Sequence, residues 1–269
     1  MNIRAVIFDL DDTLLRDDRT LSPYTVSVMR RAAAAGVHVL PASGRARDSM
    51  RPYVEALGCA DAYVACNGAE IWSPEHRLLQ RFSFPEETAL AIVAFAREHG
   101  CYAQTYDETH FYYLTENRYA REYAATSALT GFYTPDMEDF IRRHPTGKIL
   151  MMDSSPRVAQ MLAEARERFA GRASVTYSKS WFLEFNPPQA TKGNALRWCA
   201  DRLGFLPGEA VAFGDSLNDL SMLQAAGLGY AVANARADVI RLAGHVCPGN
   251  MEDGPARTLE QLLWGDMPS

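Results

Sequence analysis

No two of the five cysteines (Cys59, Cys66, Cys101, Cys199 and Cys247) stand in a Cys-x-x-Cys pair, and their odd number and wide spread give no disulfide framework. Free, mostly buried thiols are the expectation. The six histidines show neither His-x-His nor His-Glu-x-x-His spacing, so a dedicated zinc site has no support and any metal should be held by oxygen. Runs of Lys and Arg are also missing. With 27 basic against 33 acidic residues and a net charge of -6, the chain is a poor match for nucleic acid or an anionic membrane as main partner, although a local basic pocket is still allowed. No segment reaches membrane-spanning length, and the single Arg4 before a very short apolar run fits neither a signal nor a transit peptide. A cytoplasmic, soluble protein is expected. Internal repeats and low-complexity stretches are absent too. What is present is enough apolar material, 48% of 269 residues, to bury one large core or two smaller ones.

The chain is organised around Ala5-Val6-Ile7-Phe8-Asp9-Leu10-Asp11-Asp12-Thr13. Four apolar residues bounded by acids read as a strand buried on both faces of a parallel sheet. In such sheets ligands bind beyond the carboxyl ends of the strands, where Asp9 and Asp11 would lie. Paired carboxylates at that spacing suit a nucleophile, a proton shuttle and a divalent cation. An acid-rich helix start is the bland alternative. Ser22-Pro23 caps a helix that runs to Gly36, and a second strand, 37–42, ends in Ser43-Gly44-Arg45 before another helix. A hydroxyl and exposed N–H groups at a strand-to-helix turn can bind phosphate, though Ser43 would serve equally as an N-cap. A third strand, 62–66, leads into Asn67-Gly68, which predicts a type I′ turn and only secondarily a place in a site.

From Phe82 to Phe185 the texture changes to helices alternating with strand pairs, with helices predicted at 86–99, 118–129 and 156–169, and strands at 101–106, 110–114, 148–152 and before Phe185. This segment has its own apolar faces and looks like an inserted α+β domain. The first texture then returns. Thr191-Lys192-Gly193-Asn194 opens a helix, with a lysine placed against the helix dipole. A buried strand, 210–214, ends in Gly214-Asp215-Ser216-Leu217-Asn218-Asp219, and a further β-α step and a terminal helix, 254–263, close the chain.

Acid pair, hydroxyl, lysine and acid cluster, in that order along one β/α texture, resemble the haloacid dehalogenase (HAD) superfamily of phosphatases, in its Cof-type branch with a large α/β (C2-type) cap. The resemblance covers essentially the whole chain; Asn67-Gly68-Ala69, Ala231–Ala235 and Glu252-Asp253-Gly254 share it. It implies a Rossmann-like, doubly wound parallel sheet core (1–81 and 186–269) with an inserted cap (82–185) that sets specificity. It implies Asp9 as nucleophile forming an aspartyl phosphate, and Asp11 as general acid/base. Mg²⁺ would be held by Asp9, Asp215 and the Asp11 carbonyl. Phosphate would be bound by Ser43, Gly44, Leu10, Lys192 and Asn218, with Asp219 behind them orienting a metal-bound water or Lys192. Ser43 stands where many relatives have Thr, and Gln189-Ala190 replaces a common Gly-hydrophobic pair, which touches the loop and not the lysine.

Asp11 distinguishes this chain from a dehalogenase, and the lack of membrane helices from a P-type ATPase. A sugar phosphomutase or a catalytically silent regulatory protein are the alternatives. The expected substrate is a small phosphorylated metabolite, a sugar phosphate first and a flavin or pyridoxal phosphate second. Tyr102, Tyr106, His110, Tyr112, Tyr113, Trp181 and Glu184 are candidates to meet it, with core packing expected for at least half. Arg45 and Arg47 could bind a second anion or form helix-face salt bridges.

Overall fold

The computed structural model describes residues 2–107, 109–127, 129–177 and 179–265. The chain folds into two compact units, one of Met1–Gly44, Met50–Leu79 and Thr191–Ser269, the other of Gln80–Ala190 with Arg45–Ser49.

The chain opens with β1 (Ala5–Phe8), α1 (Pro23–Ala34), β2 (His38–Pro41), α2 (Arg47–Leu57), β3 (Tyr63–Ala65), β4 (Glu70–Trp72) and β5 (Leu78–Arg81), which belong to the first unit except for the start of α2 and the end of β5. The second unit contributes α3 (Glu86–Glu98), β6 (Tyr102–Tyr106), β7 (His110–Tyr113), α4 (Arg118–Ser127), β8 (Thr130–Tyr133), α5 (Met137–Arg143), β9 (Ile149–Met152), α6 (Ser155–Arg168), β10 (Ser174–Thr176) and β11 (Phe182–Asn186). The chain returns to the first with α7 (Lys192–Leu203), β12 (Ala210–Gly214), α8 (Leu220–Ala225), β13 (Leu228–Val232), α9 (Ala237–Leu242), β14 (His245–Cys247) and α10 (Gly254–Trp264).

In the first unit β14, β13, β12, β1 and β2 form one parallel sheet in that order. All four residues of β1 are fully buried, as an apolar run without alternation requires. Val6 and Phe8 pack with Val28, Met29 and Ala32 of α1 and with Leu259 of α10, whereas Ala5 and Ile7 pack with Leu196 and Cys199 of α7 and Met222 of α8. The sheet is therefore covered on both faces. From β1 the chain moves one way to β2 and, on its return, the other way through β12 to β14. That reversal opens a crevice at the carboxyl ends of β1 and β12. The register pairs Phe8 with Pro41 on one side and with Phe213 on the other, so Asp9, Ser43 and Asp215 follow strands that end level.

Local chemistry fixes the flanks. Ser22 Oγ accepts the Thr25 N–H at 3.0 Å with Pro23 at the first helical position, as the Ser-Pro pair predicts. Asn67 (φ 59°, ψ 24°) and Gly68 (φ 104°) are left-handed, and the Ala69 N–H donates to the Cys66 carbonyl at 3.1 Å, which is the expected type I′ turn.

In the second unit a six-stranded sheet runs β10, β11, β9, β6, β7, β8, antiparallel apart from the β7–β8 pair. One face, carrying Ala103, Ile149, Met151, Leu183 and Phe185, packs on α3, α5 and α6 through Ile92, Phe95, Phe140, Met161 and Phe169. The opposite face carries Tyr102, Gln104, Tyr106 and Glu184, with the rings of Tyr119 and Tyr123 of α4 tilted against Tyr102 and Tyr106 at 6.0 Å. Strands β5, β8 and β14 and helix α5 lie outside the elements the sequence pattern predicts. Tyr112 sits 4.2 Å, ring to ring, from Phe140 and belongs to the helix-packed core.

Candidate active site

Asp9 continues β1 in extended conformation, its N–H donating to the Phe213 carbonyl at 3.0 Å. The chain then turns sharply through Leu10–Leu14, with Asp12 left-handed at φ 56° and the Leu15 N–H returning to the Leu10 carbonyl at 2.8 Å. Aspartate is among the few non-glycine residues that take this conformation readily. The turn carries Thr13 to the tip of β12, where its hydroxyl donates to Asp215 Oδ1 at 2.9 Å.

Lys192, the first residue of α7, is fully buried and donates its ammonium to Asp9 Oδ1 and, at 2.5 Å, to Asp219 Oδ1. This accounts for a lysine at a helix start, where the dipole disfavours it: the neighbouring carboxylates outweigh the dipole at contact distance. The position next to it must be glycine. A Cβ on Gly193 would lie 2.2 Å from the Ser221 carbonyl oxygen, so the absent side chain lets α7 approach α8, and the Gly193 N–H donates to Ser221 Oγ at 3.0 Å. Asp219 Oδ2 accepts the N–H groups of Asp215 and Ser216, each at 3.0 Å. Both its oxygens are thus engaged, and it orients Lys192 and the Asp215 loop from behind. Ser216 Oγ donates to Asp215 Oδ2 at 2.7 Å.

The hydroxyl motif joins the same edge. The Ser43 N–H donates to the Val64 carbonyl at 2.8 Å and the Asn67 N–H to the Ser43 carbonyl at 3.0 Å, and Asn67 Oδ1 accepts from Asn218 Nδ2 at 2.8 Å. The second and fourth sequence motifs are therefore tied through the turn after β3.

The sequence profile of the haloacid dehalogenase-like hydrolases matches residues 6–259. The chain belongs to that family. A Haemophilus influenzae protein bearing a phosphatase name is 30% identical over 266 residues, covering 97% of this chain and 98% of that protein. The 5-amino-6-(5-phospho-D-ribitylamino)uracil phosphatase YcsE of Bacillus subtilis is 28% identical, covering 98% and 97%. Among solved structures, a haloacid dehalogenase-like hydrolase from Bacteroides thetaiotaomicron superposes with a TM-score of 0.85 at 26% identity, over 97% of this chain and 99% of that one.

The electrostatics of this hydrolase site follow from burial. Asp9 is pushed well above the usual carboxylate range, first by loss of water and then by Asp219, Asp215 and Asp11, while Lys192 pulls it down. Burial likewise raises Asp215, to about 6, with Asp219 adding to it and hydrogen bonds from Ser216 and Thr13 opposing. Burial disfavours the Lys192 ammonium, yet Asp219 and Asp9 more than offset this and hold it charged beyond the ordinary lysine range. One cation thus faces the carboxylates of Asp9, Asp215 and Asp219, each offering an oxygen within 4.8 Å of the others. That surplus of buried negative charge and all-oxygen donor set fit a hard divalent cation.

The Asp11 side chain is partly exposed, its Oδ1 3.8 Å from Arg19 Nη1. Leu10 is fully buried in the turn, and Gly44 follows Ser43 at the end of β2. Arg47 pairs with its neighbour Asp48, Nε to Oδ1 at 2.8 Å, a local salt bridge. Thr13, Ser216 and Asn67 are the contributors that sequence reasoning left out or ranked low. Thr13 closes the Asp-x-Asp-x-Thr motif, so its spacing was the available signal. Among the described residues no helix is long and apolar enough to cross a membrane.

Proposed function

We propose that this phosphatase hydrolyses a small phosphorylated metabolite, a sugar or polyol phosphate, through a covalent phosphoryl-Asp9 intermediate. Asp9 Oδ attacks phosphorus in line, the bond to the leaving oxygen breaks, and Asp11 gives its proton to the departing alkoxide. Asp11 then accepts a proton from the water that attacks the acyl phosphate, releasing inorganic phosphate and restoring Asp9. The observation that carries this reading is the buried Lys192 ammonium bound to Asp9 and Asp219, which orients the nucleophile and supplies positive charge where the phosphoryl oxygens must lie. The Ser43 hydroxyl, the Leu10 and Gly44 N–H groups and the Asn218 amide are assigned as further donors to those oxygens. The cation is assigned as Mg²⁺, held by the Asp9 and Asp215 carboxylates and the Asp11 carbonyl. It supplies screening between the dianionic phosphate and the carboxylates.

We assign residues 1–81 and 186–269 to the catalytic core and 82–185 to a specificity cap. The cap sheet supports this with a buried polar face. Lys148 Nζ and Glu184 Oε1 pair at 3.2 Å, Tyr102 donates to Gln104 and Gln104 to Tyr106 at 2.6 and 2.7 Å, and Asn186, where β11 leaves the cap segment, buries its Oδ1 without a hydrogen-bond partner. Such groups suit hydroxyls and ring nitrogens, in keeping with the phosphorylated polyol on a heterocycle named for the Bacillus relative. The test is phosphate release from a panel of sugar, polyol, flavin and pyridoxal phosphates and a phosphoprotein, with Mg²⁺ or with chelator. Mg²⁺-dependent release from metabolites is expected. Equal turnover of the phosphoprotein, or no release by folded protein, overturns the reading.

A pH dependence follows for metal binding. Asp215 has a folded value raised to about 6, so in metal-free protein it keeps its proton at pH 5 and has lost it at pH 7.5. The stability it lends the metal-free fold is present below its unfolded value and is lost as pH rises through about 6. Mg²⁺ replaces that proton. The Mg²⁺-induced rise in melting temperature should therefore be several degrees at pH 7.5 and nearly vanish at pH 5; equal shifts at both would contradict it.

A further inference from the structure

Two carboxy-terminal segments, Ala231–Ala235 and Glu252–Gly254, take no part in the chemistry assigned above, yet the structure brings them against the turn that carries Asp11. Asn234, in the loop after β13, donates its Nδ2 to the Asp12 carbonyl at 2.7 Å. Its Oδ1 accepts the Asn250 N–H at 3.0 Å. The Asn250 side chain, itself buried, donates to the Leu15 carbonyl at 3.0 Å and to Asp17 Oδ1 at 3.1 Å. Asp253 completes the row by accepting from Arg16 Nη2 at 3.2 Å and from the Thr25 hydroxyl at 3.3 Å. The loop that holds Asn234 is also fastened to the other acidic tip, because the Arg236 N–H donates to the Asp215 carbonyl at 3.1 Å.

Asp11 is extended and Asp12 left-handed at φ 56° within a single turn, an irregular path that bonds from neighbouring side chains hold in one arrangement. The Leu15 N–H closes the turn on the Leu10 carbonyl, and Asn234 adds a bond to the Asp12 carbonyl from outside it. The Asp12 carbonyl lies one peptide beyond Asp11, so a bond to it limits the movement of the chain from which the Asp11 side chain projects. Asn234 grips this carbonyl from a loop that is itself bonded to Asp215, and so sets the acid/base turn in register with the tip of β12.

We propose that Asn234 is a positioning residue for Asp11, acting through the Asp12 carbonyl, with Asn250 as its anchor. The role rests on the phosphatase reading above, while the clamp itself is independent of it. Asn234 is exposed, so its truncation should spare the fold. The experiment compares wild type, Asn234→Ala and Asn234→Asp; the last keeps the acceptor for Asn250 but loses the donor to Asp12. Two readouts are taken: kcat and KM with a turned-over phosphomonoester, and amide hydrogen exchange over residues 10–15. Both variants should lower kcat about tenfold with KM within about twofold, as loss of one aligned hydrogen bond allows. Exchange in the turn should rise by a similar factor, with the melting temperature little changed. Unchanged exchange overturns the clamp whatever the activity. Faster exchange with wild-type kcat overturns the positioning role. A wild type that releases no phosphate sinks the phosphatase reading and the catalytic role with it, and the exchange data then decide the clamp alone.

Discussion

Asp9→Asn should abolish turnover, lowering kcat by on the order of 10⁴-fold or more. The carboxamide matches the carboxylate in shape but offers no nucleophilic oxygen, so the loss falls on the bond-forming step itself. The fold should survive the change, because Lys192 keeps its 2.5 Å partner Asp219. Burial and the neighbouring carboxylates already push the Asp9 carboxyl well above the usual range, so a neutral amide suits the metal-free site. Metal-free Asp9→Asn should therefore melt no lower than wild type. The decisive measurement is twofold: phosphate release, and trapping of a covalent phosphoryl enzyme after an acid quench. Retention of activity within about tenfold, or undiminished covalent labelling of Asp9→Asn, would move the nucleophile to another residue.

Much of this site could be read from the sequence because its residues break local rules. A buried strand that ends in acids at Phe8-Asp9 and again at Gly214-Asp215 has no structural need for those carboxylates. Lys192 contradicts its helix dipole. Such local conflicts stand out along a single chain, and the structure resolves them together in one network. What was not legible falls into two physical kinds. Strands β8 and β14 are short edge strands with exposed residues such as Phe132, Tyr133 and Val246, so no alternation marks them. Their pairing depends on neighbours remote in sequence. Asn67 is hidden for the opposite reason, since the backbone of its turn already explains an Asn-Gly pair, and nothing in the sequence shows that its side chain also meets Asn218. Asn234 and Asp12 are 222 positions apart, and only folding reveals that contact. On the second unit the alternation along β7 sends Tyr112 to the helical core and Tyr113 to the opposite face, a choice that tyrosine's mixed character leaves open.

Lys192→Met should have the largest effect on stability. The thioether fills a similar volume but leaves Asp219, which is fully buried, without its cation. Removing one partner of a buried ion pair costs about 3–5 kcal/mol, equivalent for a chain of this size to a fall in melting temperature of roughly 10 °C. Activity should drop by about 10²–10³-fold, the usual effect of losing one oriented donor to developing charge. The two effects can be separated. In Lys192→Met/Asp219→Asn the buried carboxylate is neutralised, while the amide can still accept one of the N–H groups of Asp215 and Ser216. Part of the lost stability should return without recovery of kcat. Lys192 is held charged well into the alkaline range by Asp219 and Asp9, so the stability difference between wild type and Lys192→Met should be full at pH 7 and decline only as the lysine loses its proton at strongly alkaline pH. If the double variant regains activity along with stability, Lys192 acts only by neutralising Asp219. If neither returns, Asp219 has a role of its own in holding the Asp215 loop, through the two 3.0 Å bonds it accepts there.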